Sequence, residues 1–533
     1  MVKSMSDLPK FYIINNGMKD LRGHYFETAI SIAEAARDMG WRPILTVHAT
    51  CELGLIPEWL EFYPVFRTDH WMASKIEDQS HIETQINFAE YHQASIENVK
   101  AGKATFQQFI NSRFYIRPEL NAWNIVPVKQ TFFTRITHRT KEIYDNDGLA
   151  KLLLLSLKRI VREFCPPIFL KISKKILSPF LKKQVVPPIK KISFDMEHEL
   201  QSCSLFKNDL SKILALTKAS PRDFVFLPTA HGRELLAIGQ ICEEAKIAPR
   251  FGLEFRHALD FPLVILPPGE EHAYVGQHRF YFKKIKEKGL SNKICLFTDT
   301  KELAEDYVKF SNLNFSVLPI PFRQDFLENH NVIVPKNEEK LRIVYIGDPR
   351  EEKGFHWLPF LIDFLATDYL ITNKVVLEIQ ASVHPVNSEL KCINALEILK
   401  SYPKEWIIFH GLNGPLNPES YYKLLSAAHM IICPYDKLTY HSRSSGTLTE
   451  AIAAGVPTIV PAETWLSNQQ PNGSGLPFDG LQDFLNKTKK LIDLYPVFLE
   501  KAKLAKIEWQ KKQDPKDLIK EVTQDPFQKS KVG

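Results

Sequence analysis

Residues 441–461 bring several chemically active side chains to one predicted helix start, in the stretch HSRSSGTLTEAIAAGVPTIVP. Either Ser444 or Ser445 can cap this helix, because a serine hydroxyl accepts a hydrogen bond from the first turn. Gly446 lets a ligand approach the backbone closely. The unpaired N–H groups of the first turn, with Arg443 beside them, predict a site for an anion such as phosphate.

Glu450 lies one turn into the same predicted helix, too far along to cap its start. Its carboxylate can accept hydrogen bonds from the hydroxyl groups of a ligand whose phosphate sits at the helix N-terminus. The alternative, from these residues alone, is an ordinary α/β unit with a serine cap, a C-cap at Gly455 and a solvated Glu450. The rest of the chain must decide between the two interpretations.

A second group of charged residues lies at 347–354, in the sequence GDPREEKG. Arg350 and Lys353 follow a predicted strand there and precede a predicted helix. Arginine can grip phosphate oxygens with two hydrogen bonds, and lysine adds a point charge, so the pair suits a diphosphate. Glu351 and Glu352 lie between the two cations, and on this loop alone a solvated charged turn is the better interpretation.

The elements that must position these residues follow the strand–helix alternation of a doubly wound sheet. The first series begins with a strand at 11–15, a helix at 24–39 and a strand at 43–48. Between 58 and 215 the strand periodicity fades, and helix-forming and aromatic residues predict a long, mostly helical insertion. The alternation resumes with a strand at 224–228.

A second series follows a segment at 319–340 that is typical of a linker, with prolines at its head and charges at its tail. The sequence therefore predicts an α/β fold with two Rossmann-like domains, 1–325 and 338–490, and a C-terminal helix and tail at 491–533. One long helix is expected from about 481 through 510. Ligands of such sheets bind outside the carboxyl ends of the strands, so we expect the site in a cleft between the domains.

Composition narrows the class of protein. Of the 533 residues, 44% are hydrophobic and 24% charged, which is ordinary for a globular protein. The seven cysteines are scattered without a CxxC pair, so neither a disulfide framework nor a zinc site is indicated. The N-terminus is polar, and no apolar stretch is long enough to span a bilayer. These features favour a reducing, cytoplasmic compartment.

The mild net charge of +6 conceals a strongly basic segment at 151–192, where eleven Lys and Arg residues face one acid, Glu163. Apolar clusters alternate with lysine pairs in this segment, a pattern typical of short amphipathic helices on an anionic membrane surface. The equally weighted alternative is that the apolar faces pack on the N-terminal domain and leave the lysines in water. Few aromatic residues accompany the charge, so nucleic acid is not an expected partner.

The loop at 347–354 and the stretch EAIAAGVPTIVP at 450–461, in this order and spacing, resemble two motifs of the nucleotide-sugar-dependent glycosyltransferases with the GT-B fold. The similarity is to the large retaining "group 1" family, also called family 4. It covers about 338–480 well and the N-terminal half loosely, and it does not extend to 58–215.

The resemblance implies roles for residues of the C-terminal half. Arg350 and Lys353, after Gly347, would contact the donor diphosphate, although the family's arginine more often follows the glycine directly, where this chain has Asp348. The helix start formed by Ser445, Gly446 and Thr447 would hold phosphate, with Ser444 and Arg443 beside it. Glu450 would bind the ribose, and Gly411 and Leu412 belong to the turn that would lie against the nucleobase.

Two further positions carry implied roles in the N-terminal half. His231 follows a strand where relatives have a histidine facing the donor sugar, although a lone histidine there is more often a cap or packing residue. Gly23 opens the first helix and matches a glycine loop near donor and acceptor. One departure is clear: Ser442 stands where the family often has a second glutamate, which leaves the identity of the sugar open.

The activity implied by the resemblance is transfer of a sugar, with retention and without a metal or other cofactor. The donor would be a UDP- or GDP-linked sugar, and the acceptor a hydroxyl of a glycan, of a lipid-linked molecule or of another acceptor. With the basic segment at 151–192, the expected location is cytoplasmic or peripheral on the inner face of a membrane. A catalytically weak GT-B subunit that binds a partner or a membrane is the alternative. An oxidoreductase is disfavoured because the first strand–helix loop lacks GxGxxG.

Overall fold

The computed structural model describes the following residues: 8–19, 24–51, 56–68, 196–244, 248–259, 273–289, 294–323, 340–381, 390–412, 414 and 416–524. All of them belong to one compact unit of the chain. The basic segment at 151–192, most of the expected insertion and Gly23 lie outside these residues.

The first sheet has seven parallel strands in the order β3-β2-β1-β4-β5-β6-β7. Its strands are β1 (Lys10–Asn15), β2 (Arg42–His48), β3 (Glu61–Phe66), β4 (Phe224–Leu227), β5 (Arg250–Phe255), β6 (Ile294–Thr298) and β7 (Ser316–Val317). Its helices are α1 (His24–Asp38), α2 (Met196–Leu216), α3 (Gly232–Glu244), α4 (Ala273–Glu287) and α5 (Lys301–Ser311). The central strands are almost continuously apolar because helices cover both faces of the sheet.

The second sheet has six parallel strands in the order β10-β9-β8-β11-β12-β13. Its strands are β8 (Leu341–Tyr345), β9 (Val375–Gln380), β10 (Ile407–His410), β11 (Met430–Ile432), β12 (Thr458–Pro461) and β13 (Gly475–Phe478). The helices of this half are α6 (Leu358–Leu365), α7 (Leu390–Lys400), α8 (Pro418–Ser426), α9 (Gly446–Ala454), α10 (Trp465–Asn468), α11 (Gly480–Asp493), α12 (Tyr495–Lys512) and α13 (Pro515–Thr523). The predicted α/β class with two doubly wound sheets is confirmed.

The end of the chain returns to the first sheet. Leu518, Ile519 and Val522 of α13 are fully buried in the apolar cluster that covers one face of that sheet. Ile320 and Phe322, which follow β7, pack instead in a cluster with the second sheet. Full burial of a side chain of this size contributes about 1.5–3 kcal/mol to the stability of the fold. These two segments therefore stabilise the contact between the halves of the molecule.

One prediction about elements is wrong. The single helix expected from 481 through 510 is two helices, because α11 ends at Asp493 and Pro496 stands in the first turn of α12. Proline lacks the N–H that a continuous helix would need there. The final segment holds a further helix, α13, whose first turn is capped by Asp514.

The segment 58–215, predicted to be a long, mostly helical insertion, is described only at 58–68 and at 196–215, and the second of these parts is helix α2. Its first described part contains β3, which pairs with β2 at the edge of the first sheet. Pro64 and the register shift beside β2 interrupt the alternation of buried and exposed residues in β3. The sequence therefore shows no clear strand periodicity there. In the described part of the chain, no helix is both long and apolar enough to cross a membrane.

Candidate functional site

Helix α9 begins as the sequence predicted. Ser445 is the N-cap, in an extended conformation, and its hydroxyl accepts a hydrogen bond of 3.3 Å from the Leu448 amide. Gly455 closes the helix in the left-handed conformation, with φ +78°. The solvated interpretation of Glu450 is wrong, because this side chain is only 3% exposed and accepts a hydrogen bond from the Tyr421 hydroxyl.

The loop between β8 and α6 depends on two glycines. Gly354 has φ +67°, and a Cβ there would lie 1.8 Å from the Pro434 carbonyl oxygen, so the loop touches the segment that follows β11. Gly347 has φ +135°, and a Cβ there would lie 3.0 Å from Lys353 Nζ. The ammonium group therefore folds back over the end of β8. Burial and then the neighbouring Arg350 lower the pKa of Lys353.

The two predicted loops meet at Glu352. Arg350 Nη1 lies 3.4 Å from Glu352 Oε1, and Arg443 Nη1 lies 3.8 Å from Glu352 Oε2. Arg350 Nη2 also binds Asp348 Oδ2 at 2.9 Å. The structure thus gathers Arg350, Lys353 and Arg443 beside the start of α9, with two carboxylates of the same loop holding the arginines. The sequence did not predict that Asp348 and Glu352 hold the arginines, and the role of the three cations toward a ligand stays a prediction.

The serine loop before α9 is bound to the first half of the molecule. The Thr300 hydroxyl donates to the Ser442 carbonyl oxygen at 2.7 Å, and the Ser444 hydroxyl donates to the Asp299 carboxylate. Arg256 Nε donates to Asp299 Oδ2 at 2.9 Å. Ser442, where the family often has a glutamate, is therefore 6% exposed and lies in a contact between the two halves.

A small cavity of about 10 Å³ lies between the two sheets at this point. It is lined by residues of α1, the end of β5, the segment after β7 and the first turns of α9: Glu27, Thr28, Arg256, Ile320, Pro321, Phe322, Gly446, Thr449 and Glu450. Glu27 is paired with Arg323 at 3.5 Å. Gly446 and Glu450, which are predicted to bind phosphate and ribose, thus line the same cavity as side chains of the first half.

Arg256, Asp299 and Thr300 also lie at this site, and the sequence carried a signal for them. Arg256 directly follows β5, and Asp299 and Thr300 directly follow β6. Polar residues at the carboxyl ends of parallel strands are the expected site residues of such sheets. Burial raises the pKa of the neighbouring Glu254 to about 8, since the opposing effect of Arg256 is smaller and Asp299 raises the pKa further.

His231 lies between β4 and α3, where the sequence placed it. Its backbone N–H donates to Glu234 Oε2 at 3.0 Å, and its ring centroid lies 5.1 Å from that of His257. Glu234 is fully buried and also accepts a hydrogen bond of 3.2 Å from Asn16 Nδ2. His231 is thus positioned at the carboxyl edge of the first sheet, where its role toward a ligand stays a prediction.

The predicted base segment follows β10, where His410 Nε2 lies 2.8 Å from Glu378 Oε2 and Arg342 binds the same carboxylate. Burial alone would raise the pKa of Glu378, but the hydrogen bonds from His410 and Arg342 lower it to about 2. Gly411 has φ +78°, and Leu412 is exposed. Gly411 and Leu412 therefore form a surface turn, and His410, the last residue of β10 before it, is held by the buried carboxylate of Glu378.

No protein-family model matches the sequence, and no curated protein matches it. Among solved structures, the chain is similar to a sucrose-phosphate synthase from Thermosynechococcus elongatus, with 10% identity, a TM-score of 0.56 and coverage of 98% of this chain and 100% of that one. It is also similar to a trehalose-6-phosphate protein from E. coli bound with UDP-2-fluoro glucose, with 9% identity, a TM-score of 0.54 and coverage of 97% and 99%.

A glycosyltransferase from Rickettsia africae is a third similar structure, with 8% identity, a TM-score of 0.50 and coverage of 97% of each chain. At such low identity these likenesses speak for the fold alone. They extend over nearly the whole of both chains, so they include the two sheets together and the C-terminal return. The chain therefore has the GT-B fold, as its motifs predicted.

Proposed function

We propose that this chain is a glycosyltransferase that moves a sugar from a nucleotide diphosphate sugar to a hydroxyl group of an acceptor. The observation that carries the proposal is the meeting of two loops at one helix start. Arg350, Lys353 and Arg443 lie beside the first turn of α9, and Glu450 is buried one turn farther along. This arrangement offers positive charge to a diphosphate and a carboxylate to the neighbouring ribose.

The cations of this site would stabilise the departing nucleotide diphosphate. Asp348 and Glu352 hold Arg350 in place before the donor binds, and phosphate oxygens then replace them as its partners. Preorganised charges in a closed cleft act where negative charge develops in the transition state. Side-chain cations and the N–H groups of α9 supply this stabilisation, so the proposed reaction needs no metal.

Glu450 would accept hydrogen bonds from the ribose hydroxyls while the Tyr421 hydroxyl fixes its carboxylate. The nucleobase, of a UDP- or GDP-linked donor, would lie against Gly411 and Leu412. His231, at the carboxyl edge of the first sheet, would face the transferred sugar. The acceptor oxygen would bond to the anomeric carbon on the face from which the nucleotide diphosphate leaves, as the bond from that carbon to the phosphate oxygen breaks. The departing phosphate would take the proton of the acceptor hydroxyl, and the sugar would keep its configuration.

A second candidate function is a catalytically weak GT-B subunit that binds a nucleotide or a partner without efficient transfer. One observation favours it: Ser442 stands where the family often has a glutamate, and its carbonyl oxygen is bound to Thr300 at 2.7 Å. The two candidates differ in turnover, because both retain the diphosphate site. The acceptor of the first candidate would be a glycan or a lipid-linked molecule.

The test is hydrolysis or transfer of UDP-, GDP- and ADP-linked sugars by the purified chain, with Lys353→Ala as the diagnostic variant. We expect one donor to turn over, and Lys353→Ala to slow it by about 10²–10³-fold, as for other lost preorganised charges. Lys400→Ala removes an exposed lysine paired with Glu397 and should have no effect. Nucleotide binding without turnover would support the second candidate, and equal rates for Lys353→Ala and wild type would refute the site.

A further inference from the structure

Arg256 is held at one edge of its guanidinium group. Its Nε donates to Asp299 Oδ2 at 2.9 Å and lies 4.0 Å from Glu254 Oε1. Among the residues that the structure describes, no hydrogen-bond acceptor is found for its two terminal nitrogens. The side chain is 17% exposed, so a nearly buried cation keeps one edge for another partner.

Arg256 lines the cavity between the two sheets, together with Gly446 and Glu450. Thr449 lines the same cavity, is 1% exposed, and its hydroxyl oxygen has no hydrogen-bond partner within the described part of the chain. A buried hydroxyl without a partner is costly, and a ligand in the cavity would supply that partner.

Positive charge reaches this cavity from Arg256 and from the start of α9, beside the two carboxylates that line it, Glu27 and Glu450. The first turn of α9 presents N–H groups and a partial positive charge at Gly446, and Arg256 faces it from the other half of the molecule. Burial raises the pKa of the neighbouring Glu254, and among the described residues Asp299 is the carboxylate within hydrogen-bond distance of Arg256. The carboxylates that line the cavity, Glu27 and Glu450, are engaged with Arg323 and Tyr421.

Asp299 also binds the Ser444 hydroxyl, and the adjacent Thr300 hydroxyl binds the Ser442 carbonyl oxygen. The buried carboxylate of Asp299 thus binds Arg256 of the first half and also the serine loop before α9 of the second half. This geometry makes Asp299 a positioning residue for both sides of the cavity.

We propose that Arg256 binds the diphosphate of the donor from the N-terminal half, opposite the start of α9, and that Asp299 positions it. This inference rests on the proposed function, since it adds a ligand-binding residue to the same site. Arginine suits the task because its planar group can bind Asp299 with one edge and phosphate oxygens with the other.

The test is calorimetric titration of the full chain with UDP, GDP and ADP, comparing Arg256→Gln with wild type. Glutamine can still donate to Asp299 but carries no charge. We expect the nucleotide that the wild type binds to bind Arg256→Gln about 10-fold or more weakly, as for a lost hydrogen bond to a charged group. Arg256→Lys, which keeps the charge, should recover part of the affinity.

Arg42→Gln is the matched control, because Arg42 is also paired with a carboxylate, Glu61 at 2.6 Å, but at the amino ends of the strands of the same sheet. Its affinity should equal that of the wild type. Equal affinity of Arg256→Gln and wild type would overturn this inference and leave the proposed function standing. If the wild type binds none of the three nucleotides, both fail together. Should Arg256→Gln not fold, Arg256→Lys decides: a several-fold loss supports the inference, and unchanged affinity overturns it.

Discussion

Burial shifts the pKa of individual side chains in this molecule, and Glu254 shows the effect most clearly. Its side chain lies at the end of β5 and is 2% exposed, beside Arg256 and Asp299. Burial is the largest influence and raises the pKa of Glu254 from 4.5 to about 8. The folded chain therefore keeps a proton that the unfolded chain releases.

This difference predicts a pH dependence of stability. Between pH of about 4.5 and about 8 the folded state binds one proton more at Glu254, so the free energy of unfolding falls as the pH rises. The slope is at most about 1.4 kcal/mol per pH unit, and it disappears above the folded pKa. Chemical denaturation at several pH values should show wild type losing stability relative to Glu254→Gln over this range. A constant difference between the two proteins would contradict the prediction.

At the scale of secondary-structure elements, the turn between β8 and α6 sets the position of the cations. Gly354 allows it because its left-handed backbone passes close to Pro434, where an added Cβ would lie 1.8 Å from the carbonyl oxygen. The contact fixes the loop at 347–354 against the segment after β11.

We predict that Gly354→Ala destabilises the protein by more than Gly289→Ala. Both glycines have φ +67°, but apart from its neighbours in the chain no described residue lies within 4 Å of a Cβ placed at Gly289. The loss of stability of Gly289→Ala therefore reflects the left-handed backbone alone, about 1–2 kcal/mol. The loss for Gly354→Ala also includes the clash with the backbone of Pro434. Denaturant titration of the two variants measures the difference. Equal losses would show that the Pro434 contact is relaxed at little cost.

The same elements show what a sequence reveals. The Ser445 cap, the Gly455 end and the Gly347 loop were predictable because caps and turns depend on residues close together in the chain. The contacts of Thr300 with Ser442 and of Asp299 with Ser444 were not, because they join residues more than a hundred positions apart across two sheets. Local patterns place a loop on an element, and only the packing of the elements shows which loop it meets.

At the scale of the whole molecule, the two halves are joined by apolar and polar contacts. Helix α13 packs on the first sheet, and Ile320 and Phe322 pack on the second. The serine loop before α9 is bound to Asp299 and Thr300 of the first half. The site therefore depends on both halves, which explains why the motifs of the C-terminal half do not describe it completely.

The basic segment at 151–192 lies outside the described residues, and its membrane role stays a prediction. Eleven cations against one acid predict binding to anionic liposomes, with about 1 kcal/mol for each cation near the surface and a marked loss at high salt. Co-sedimentation should disappear when Lys174, Lys175, Lys182 and Lys183 are changed to Gln. If the wild type does not sediment with anionic liposomes at low salt, a soluble acceptor becomes the better expectation.

The central claim is that α9 and its neighbouring loops bind a nucleotide diphosphate, with Glu450 on the ribose. Thermal unfolding of wild type, Glu450→Gln and the control Glu397→Gln, each with UDP, GDP or ADP, tests it most directly. A ligand at 100 times its dissociation constant stabilises the folded state by about 2.7 kcal/mol. We expect one nucleotide to stabilise wild type and Glu397→Gln alike, and to bind Glu450→Gln more weakly by about 1.5–3 kcal/mol. No stabilisation of the wild type by any of the three nucleotides would contradict the account.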